Sequence, residues 1–178
     1  MKKLLIIFFC LFGVSVVSNA QKFGYVDTEY VLSKMPEYAK AQEEVNTLSA
    51  TWQSEIQQMY KEIEGMYDAL QAEEVLLTAE MKKERQEGIK EKEQEVKEYH
   101  KKVFGFEGLF FLKKKELIKP VQDLVFEAVE KVSKKNKIQI MFDKSGDLVM
   151  IYTNPVHDYT DYVLEELGLG DKNDTVQQ

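Results

Sequence analysis

The sequence predicts a mostly α-helical protein in which a long antiparallel coiled-coil helical hairpin stands on a small α/β base. Three observations predict it. Apolar residues recur at steps of three and four along two long stretches, one from Pro36 to about Leu77 and one from Ile89 to Val132. Outside them the pattern changes to short, densely apolar runs bounded by Asp, Ser and Gly, which read as strands. The two stretches also differ in charge: residues 37–80 carry 2 basic and 10 acidic side chains, residues 81–119 carry 12 basic and 8 acidic. An acidic arm beside a net basic one sets partner and register, although each exposed pair is worth only about 0–1 kcal/mol.

The chain opens with Met1-Lys2-Lys3, stays apolar from Leu4 to Val17 and reaches Ser18-Asn19-Ala20. That order is a basic flank, an apolar run and a small-residue cleavage site, so residues 1–20 read as a signal peptide removed after Ala20. The alternative is a buried helix or a retained anchor, for which the run is short. Cys10 lies inside it, without small residues just before it, so it does not read as a lipoprotein anchor. Removal leaves no cysteine, which excludes disulfides and thiol chemistry from the mature chain. Losing Lys2 and Lys3 takes the formal charge from -7 to -9. Such a charge argues against nucleic acid as a partner, whose binding rests on phosphate neutralisation, and favours solubility.

Residues 21–35 supply the first strand, Phe23-Gly24-Tyr25-Val26-Asp27, and a short helix. The hairpin arm follows over residues 36–112. Its outgoing helix carries a narrow seam at Tyr38, Ala41, Val45, Leu48, Trp52, Ile56, Met59, Ile63, Met66 and Leu70, the a/d kind of a coiled coil, with one stutter near Trp52. Pro36 suits the first turn, where its missing N–H leaves nothing unpaired. The tip falls at Val75-Leu76-Leu77-Thr78, with Thr78 as N-cap of the returning helix. A helix of about 40 residues reaches roughly 60 Å at 1.5 Å per residue.

The returning seam is expected at Ile89, Val96, Tyr99, Val103, Phe106 and Phe110, then at Leu117, Val121, Leu124, Ala128 and Val132. Gly105 and Gly108, set among four phenylalanines, predict a bend or break where the arm meets the base, and Pro120 is a second candidate kink. Residues 113–170 complete the base: a helix, an apolar strand hairpin (138–142, turn at 144–147, 148–152) and a last helix that Asp158 caps and Gly168 ends. The polar tail 171–178 reads as disordered. Three short strands, two of them apolar on nearly every position, cannot cover themselves. The base is therefore expected to complete its core with other copies of the chain.

No catalytic, cofactor-binding or metal-binding residues are predicted, and no cofactor. His100 and His157 lack partners at ligand spacing, Ser145-Gly146 belongs to a turn, and Gly105 and Gly108 lack the strand and third glycine of a dinucleotide loop. Met59, Met66 and Met81 read as seam positions or as an adaptable surface for varied clients. Lys82, Lys83 and Arg85 read as a solvated helix face or as a contact for client or anionic lipid, as does Lys113-Lys114-Lys115.

The order of these features resembles the Skp (OmpH) family of periplasmic chaperones over nearly the whole mature chain: signal peptide, strand ending Tyr25-Val26-Asp27, long charged hairpin, apolar strands and Asp158-Tyr159-Thr160-Asp161-Tyr162-Val163-Leu164. The elements Met35-Pro36-Glu37-Tyr38, Gly105 to Gly108 and Glu116 to Pro120 are similar to members from the Bacteroidetes. The resemblance implies a homotrimer with a three-stranded, barrel-forming body and arms around a cavity. That cavity would hold unfolded outer-membrane β-barrel proteins in the periplasm, without ATP and without enzyme activity. In that body Tyr25, Val26, Ile140, Phe142, Val149 and Ile151 are expected to line the shared core. The acidic charge departs from the basic members of the family, so contact with a membrane surface or lipopolysaccharide is the weaker expectation, and apolar contact would dominate client capture. A structural coiled-coil adaptor of the cell envelope is the other function class the hairpin would serve.

Overall fold

The computed structural model describes residues 21–146 and 149–170. The expected signal peptide, the residues at the end of the 144–147 turn and the expected disordered tail lie outside them. In chain order the elements are β1 (Phe23–Val26), α1 (Thr28–Ser33), α2 (Pro36–Glu73), α3 (Ala79–Phe104), α4 (Leu109–Lys135), β2 (Ile140–Asp143), a 3-10 turn (Pro155–His157) and α5 (Thr160–Glu166).

The outgoing helix α2 is 38 residues long, about 57 Å at 1.5 Å per residue. Pro36 stands in its first turn. Each expected seam position from Ala41 to Leu70 is buried or half-buried, because steps of three and four keep one stripe of the helix facing its neighbour. The Thr78 hydroxyl accepts the Met81 N–H at 3.2 Å, so α3 starts where a capping residue follows the tip. α2 and α3 then run antiparallel, joined across the arm by Tyr67 to Glu93 at 3.0 Å and Tyr99 to Glu55. Both tyrosine hydroxyls donate to a carboxylate, and that bond holds each above its ordinary pKa.

α3 ends at Phe104. The Gly108 N–H donates to the Gly105 carbonyl at 2.9 Å, closing a tight turn in which Glu107 takes a left-handed φ of 52°. A Cβ on Gly105 would run into the Lys101 carbonyl, and one on Gly108 into the Val103 carbonyl, so the two glycines permit the close reversal. The expected break is real, but α4 continues from Leu109 to Lys135 through Pro120 with no second interruption. The break also resets the helical phase. The buried stripe of α4 is Ile118, Val121, Val125, Ala128 and Val132, not one through Leu117 and Leu124; Leu124 is 46 % exposed and Phe106 97 %.

The base core joins Val26 of β1, Val31 of α1, Val125 and Val132 of α4, and Val163 and Leu164 of α5. β1 and β2 pair in parallel, Phe23 opposite Ile140 through Val26 opposite Asp143. On its other side, among the described residues, β1 pairs only through an isolated bridge, where the Tyr159 N–H donates to the Tyr25 carbonyl at 2.9 Å. Of the third strand expected at 148–152, the described residues 149–152 form none and are irregular. Apolar composition alone makes a run strand-prone, but a strand needs a neighbour to bond to, and this run has none within its own chain among the described residues.

Candidate interaction surfaces

The ends of the two strands are tied by short polar side chains. The Thr28 hydroxyl donates to Asp143 Oδ2 at 2.6 Å and the Ser145 hydroxyl to Asp143 Oδ1 at 2.7 Å, with the Thr28 and Ser145 N–H groups on the same carboxylate. Asp158 Oδ1 accepts from both the N–H and the hydroxyl of Thr160, whose hydroxyl oxygen accepts the Asp27 N–H at 3.0 Å. Partial burial pushes the Asp143 carboxyl up, but the hydrogen bonds from Thr28 and Ser145 outweigh it, and its pKa falls below the ordinary 3.8. A lowered native pKa stabilises the fold fully above the ordinary value, and the gain is lost as pH falls through the native one. Acid unfolding of the base should therefore begin below about pH 4, and Asp143→Asn should flatten stability against pH in that range while lowering stability at pH 7. Urea midpoints at pH 3, 4 and 7 check this.

Beyond these ties, β2 has a partner on one side only among the described residues. The apolar side chains of β2 and of the run after it are open: Ile140 is 51 % exposed, Phe142 36 %, Val149 85 %, Ile151 97 % and Tyr152 82 %. Beside them Phe23, Tyr25, Phe142, Met150, Tyr152 and His157 line a cleft, with the His157 ring 4.6 Å from Phe23. The six residues assigned to a shared core thus divide. Val26 is 2 % exposed and packed within its own chain, and Tyr25 is buried at the cleft floor. Ile140, Phe142, Val149 and Ile151 remain on the surface.

The arm residues divide too. Met59 and Met66 are half-buried against Ile56, Ile63, Ile89 and Val96, so they belong to the seam, whereas Met81 is 45 % exposed near the tip. Lys82, Lys83 and Arg85 each stand beside a carboxylate: Glu74 at 3.4 Å, Glu87 at 3.8 Å and Glu73 at 3.6 Å. A patch so neutralised offers little field to an anionic surface.

Two exposed apolar surfaces escape the sequence reading. One is the arm tip, Val75 and Leu76. The other comprises Phe106, which projects from the glycine turn, and exposed residues of α4: Leu112 near its start, and Phe111 and Phe126, which line a shallow groove with Lys114 and Lys115. A signal for Phe126 is present: it falls between the buried Val125 and Ala128 and matches no position of the stripe. His100 packs on Phe104, with ring centres 5.6 Å apart. Among the described residues no three His, Cys, Asp or Glu side chains gather as a metal site, and no helix is long and apolar enough to cross a membrane.

Long paired helices on a small α/β base with an open apolar edge define a class of long-armed proteins. The chain belongs to the OmpH family: the family's sequence model, described as outer membrane protein (OmpH-like), matches residues 22–167. It is similar in fold to a crystal structure from Caulobacter crescentus CB15, described as a candidate outer membrane chaperone (OmpH-like). The two superpose with a TM-score of 0.68 at 12 % identity, over 89 % of this chain and 92 % of that one. A search of curated proteins finds no match.

Proposed function

We propose that the chain is an ATP-independent holdase chaperone of the periplasm that binds unfolded outer-membrane β-barrel proteins and prevents their aggregation. It works as a homotrimer whose arms, paired as coiled coils, surround the client. The observation that carries this reading is the unsatisfied base: a two-stranded sheet with one open edge among the described residues, and exposed Ile140, Phe142, Val149 and Ile151 on β2 and the run after it. A two-stranded pair is marginal alone, and an open apolar edge is a template for another chain. Copies of the same base supply that chain. Membership of the OmpH family supports the chaperone role, and the acidic arms assign client capture to apolar contact.

Native mass of the mature protein, alone and after addition of a urea-unfolded outer-membrane barrel, tests the proposal. A three-chain mass that gains one barrel is expected. A monomer or dimer that ignores the barrel rejects it and favours a structural adaptor of the cell envelope. Ile151→Asp should weaken self-association by roughly 30-fold or more, the scale of an interface hot spot, while far-ultraviolet circular dichroism keeps its helical signal.

A further inference from the structure

The arm is not packed evenly along its length. Its middle is held by buried Ile56, Ile63, Ile89 and Val96, yet none of the residues between Ile63 and Ile89 is buried. There Met66 and Leu70 half-bury against the end of the seam, and two exposed ion pairs, Lys82–Glu74 and Arg85–Glu73, bridge the helices. Exposed pairs of that kind hold little. The same span, residues 64–88, carries seven carboxylates against three cations.

Two glycines lie within it, at Gly65 in α2 and Gly88 in α3, both in helix interiors. Neither has a positive φ. A Cβ on Gly65 would meet nothing within 4 Å, and one on Gly88 would make only ordinary contact with Met66 Cε at 3.9 Å. Neither conformation nor crowding requires glycine here, so each simply lowers helix stability relative to alanine.

We infer that residues 64–88 form a separately opening unit: the free ends of α2 and α3 part while the seam on the base side of them, held by Ile56, Ile63, Ile89, Val96 and Val103, stays closed. Regions with few buried contacts open locally far below the cost of global unfolding. Parting uncovers Met66 and Leu70 beside the already exposed Val75, Leu76 and Met81, a flexible apolar surface that adapts to varied sequences. Its occupant is an unfolded apolar chain segment flanked by basic or neutral residues, because the surrounding carboxylates repel an acidic one. This occupancy rests on the chaperone reading; the opening does not.

The test is amide hydrogen exchange on the full mature protein, comparing the parent with the Gly65→Ala/Gly88→Ala variant, together with suppression of aggregation of an unfolded barrel. Helical amides of 64–88 should exchange on the order of 100-fold faster than those of 89–103. Each alanine should slow distal exchange roughly five-fold without changing the middle of the arm, and the double variant should hold clients several-fold less well. Distal amides as protected as the middle ones, or unmoved by the substitutions, overturn the opening. Slowed exchange with undiminished client protection overturns the client role alone. If the parent itself suppresses no aggregation, the chaperone reading falls and the exchange contrast still decides the opening.

Discussion

Val26→Asp should unfold the base. Its side chain is 2 % exposed and packed among the apolar side chains of Val31, Val125 and Val163 of its own chain. An unpaired charge there, added to the lost burial of valine, costs about 4 kcal/mol or more. Domains of this size have about 5–15 kcal/mol in all. The expected result is a base that melts at ambient temperature while much of the arm's helical signal persists. Ile151→Asp is the contrasting change: at 97 % exposure it should leave single-chain stability within about 0.5 kcal/mol. Thermal melts of both variants at a concentration where the parent is dissociated separate the two effects. Val26→Asp melting with the parent would place Val26 outside the chain's own core.

Gly24→Ala should have the next largest effect, for a different reason. A Cβ at Gly24 would lie 2.5 and 2.7 Å from two ring carbons of Tyr159 and 3.2 Å from Met141 Sδ. Tyr159 is 5 % exposed, its ring lies against Tyr162 with centres 5.4 Å apart, and its own N–H is fixed to the Tyr25 carbonyl. The ring has nowhere to swing, so β1 must shift off the residues leading into α5. Overpacking of this kind costs about 1–3 kcal/mol. A double-mutant cycle with Tyr159→Leu identifies the cause. If the ring is the obstacle, Gly24→Ala should be much less harmful in a chain that already carries Tyr159→Leu, giving a coupling of about 1 kcal/mol or more. Additive effects would assign the damage elsewhere.

The elements legible in the sequence are those with local causes. Steps of three and four from Ala41 to Leu70 place one stripe against a neighbour whatever that neighbour is, Thr78 caps because its hydroxyl reaches an N–H three residues on, and the glycines at 105 and 108 break a helix because the reversal leaves no room for a Cβ. The differences arise where phase or partner comes from elsewhere. Continuing the returning seam across a break that resets its phase puts Leu117 and Leu124 on the buried stripe of α4, one residue out from Ile118 and Val125. A strand at 148–152 follows from composition, which cannot provide the neighbour that a strand requires. The cations at 82, 83 and 85 are visible as a cluster, but the carboxylates beside them become apparent only once the hairpin and helix turns bring Glu73, Glu74 and Glu87 within reach.

The sequence by itself therefore determined a long seamed arm, its tip and root, and a base too small in strands to stand comfortably alone, since each follows from residue spacing and local sterics. Only the tertiary structure decided which apolar residues of the base are satisfied and which are not. Val26 and Ile151 look alike in a hydropathy pattern, yet β1 lies between β2 and the Tyr159 backbone and buries the first, while the irregular run after β2 leaves the second open. Burial depends on what stands opposite a side chain, and here that is set by contacts between segments far apart in the chain, such as Phe23 with Ile140 and Tyr25 with Tyr159.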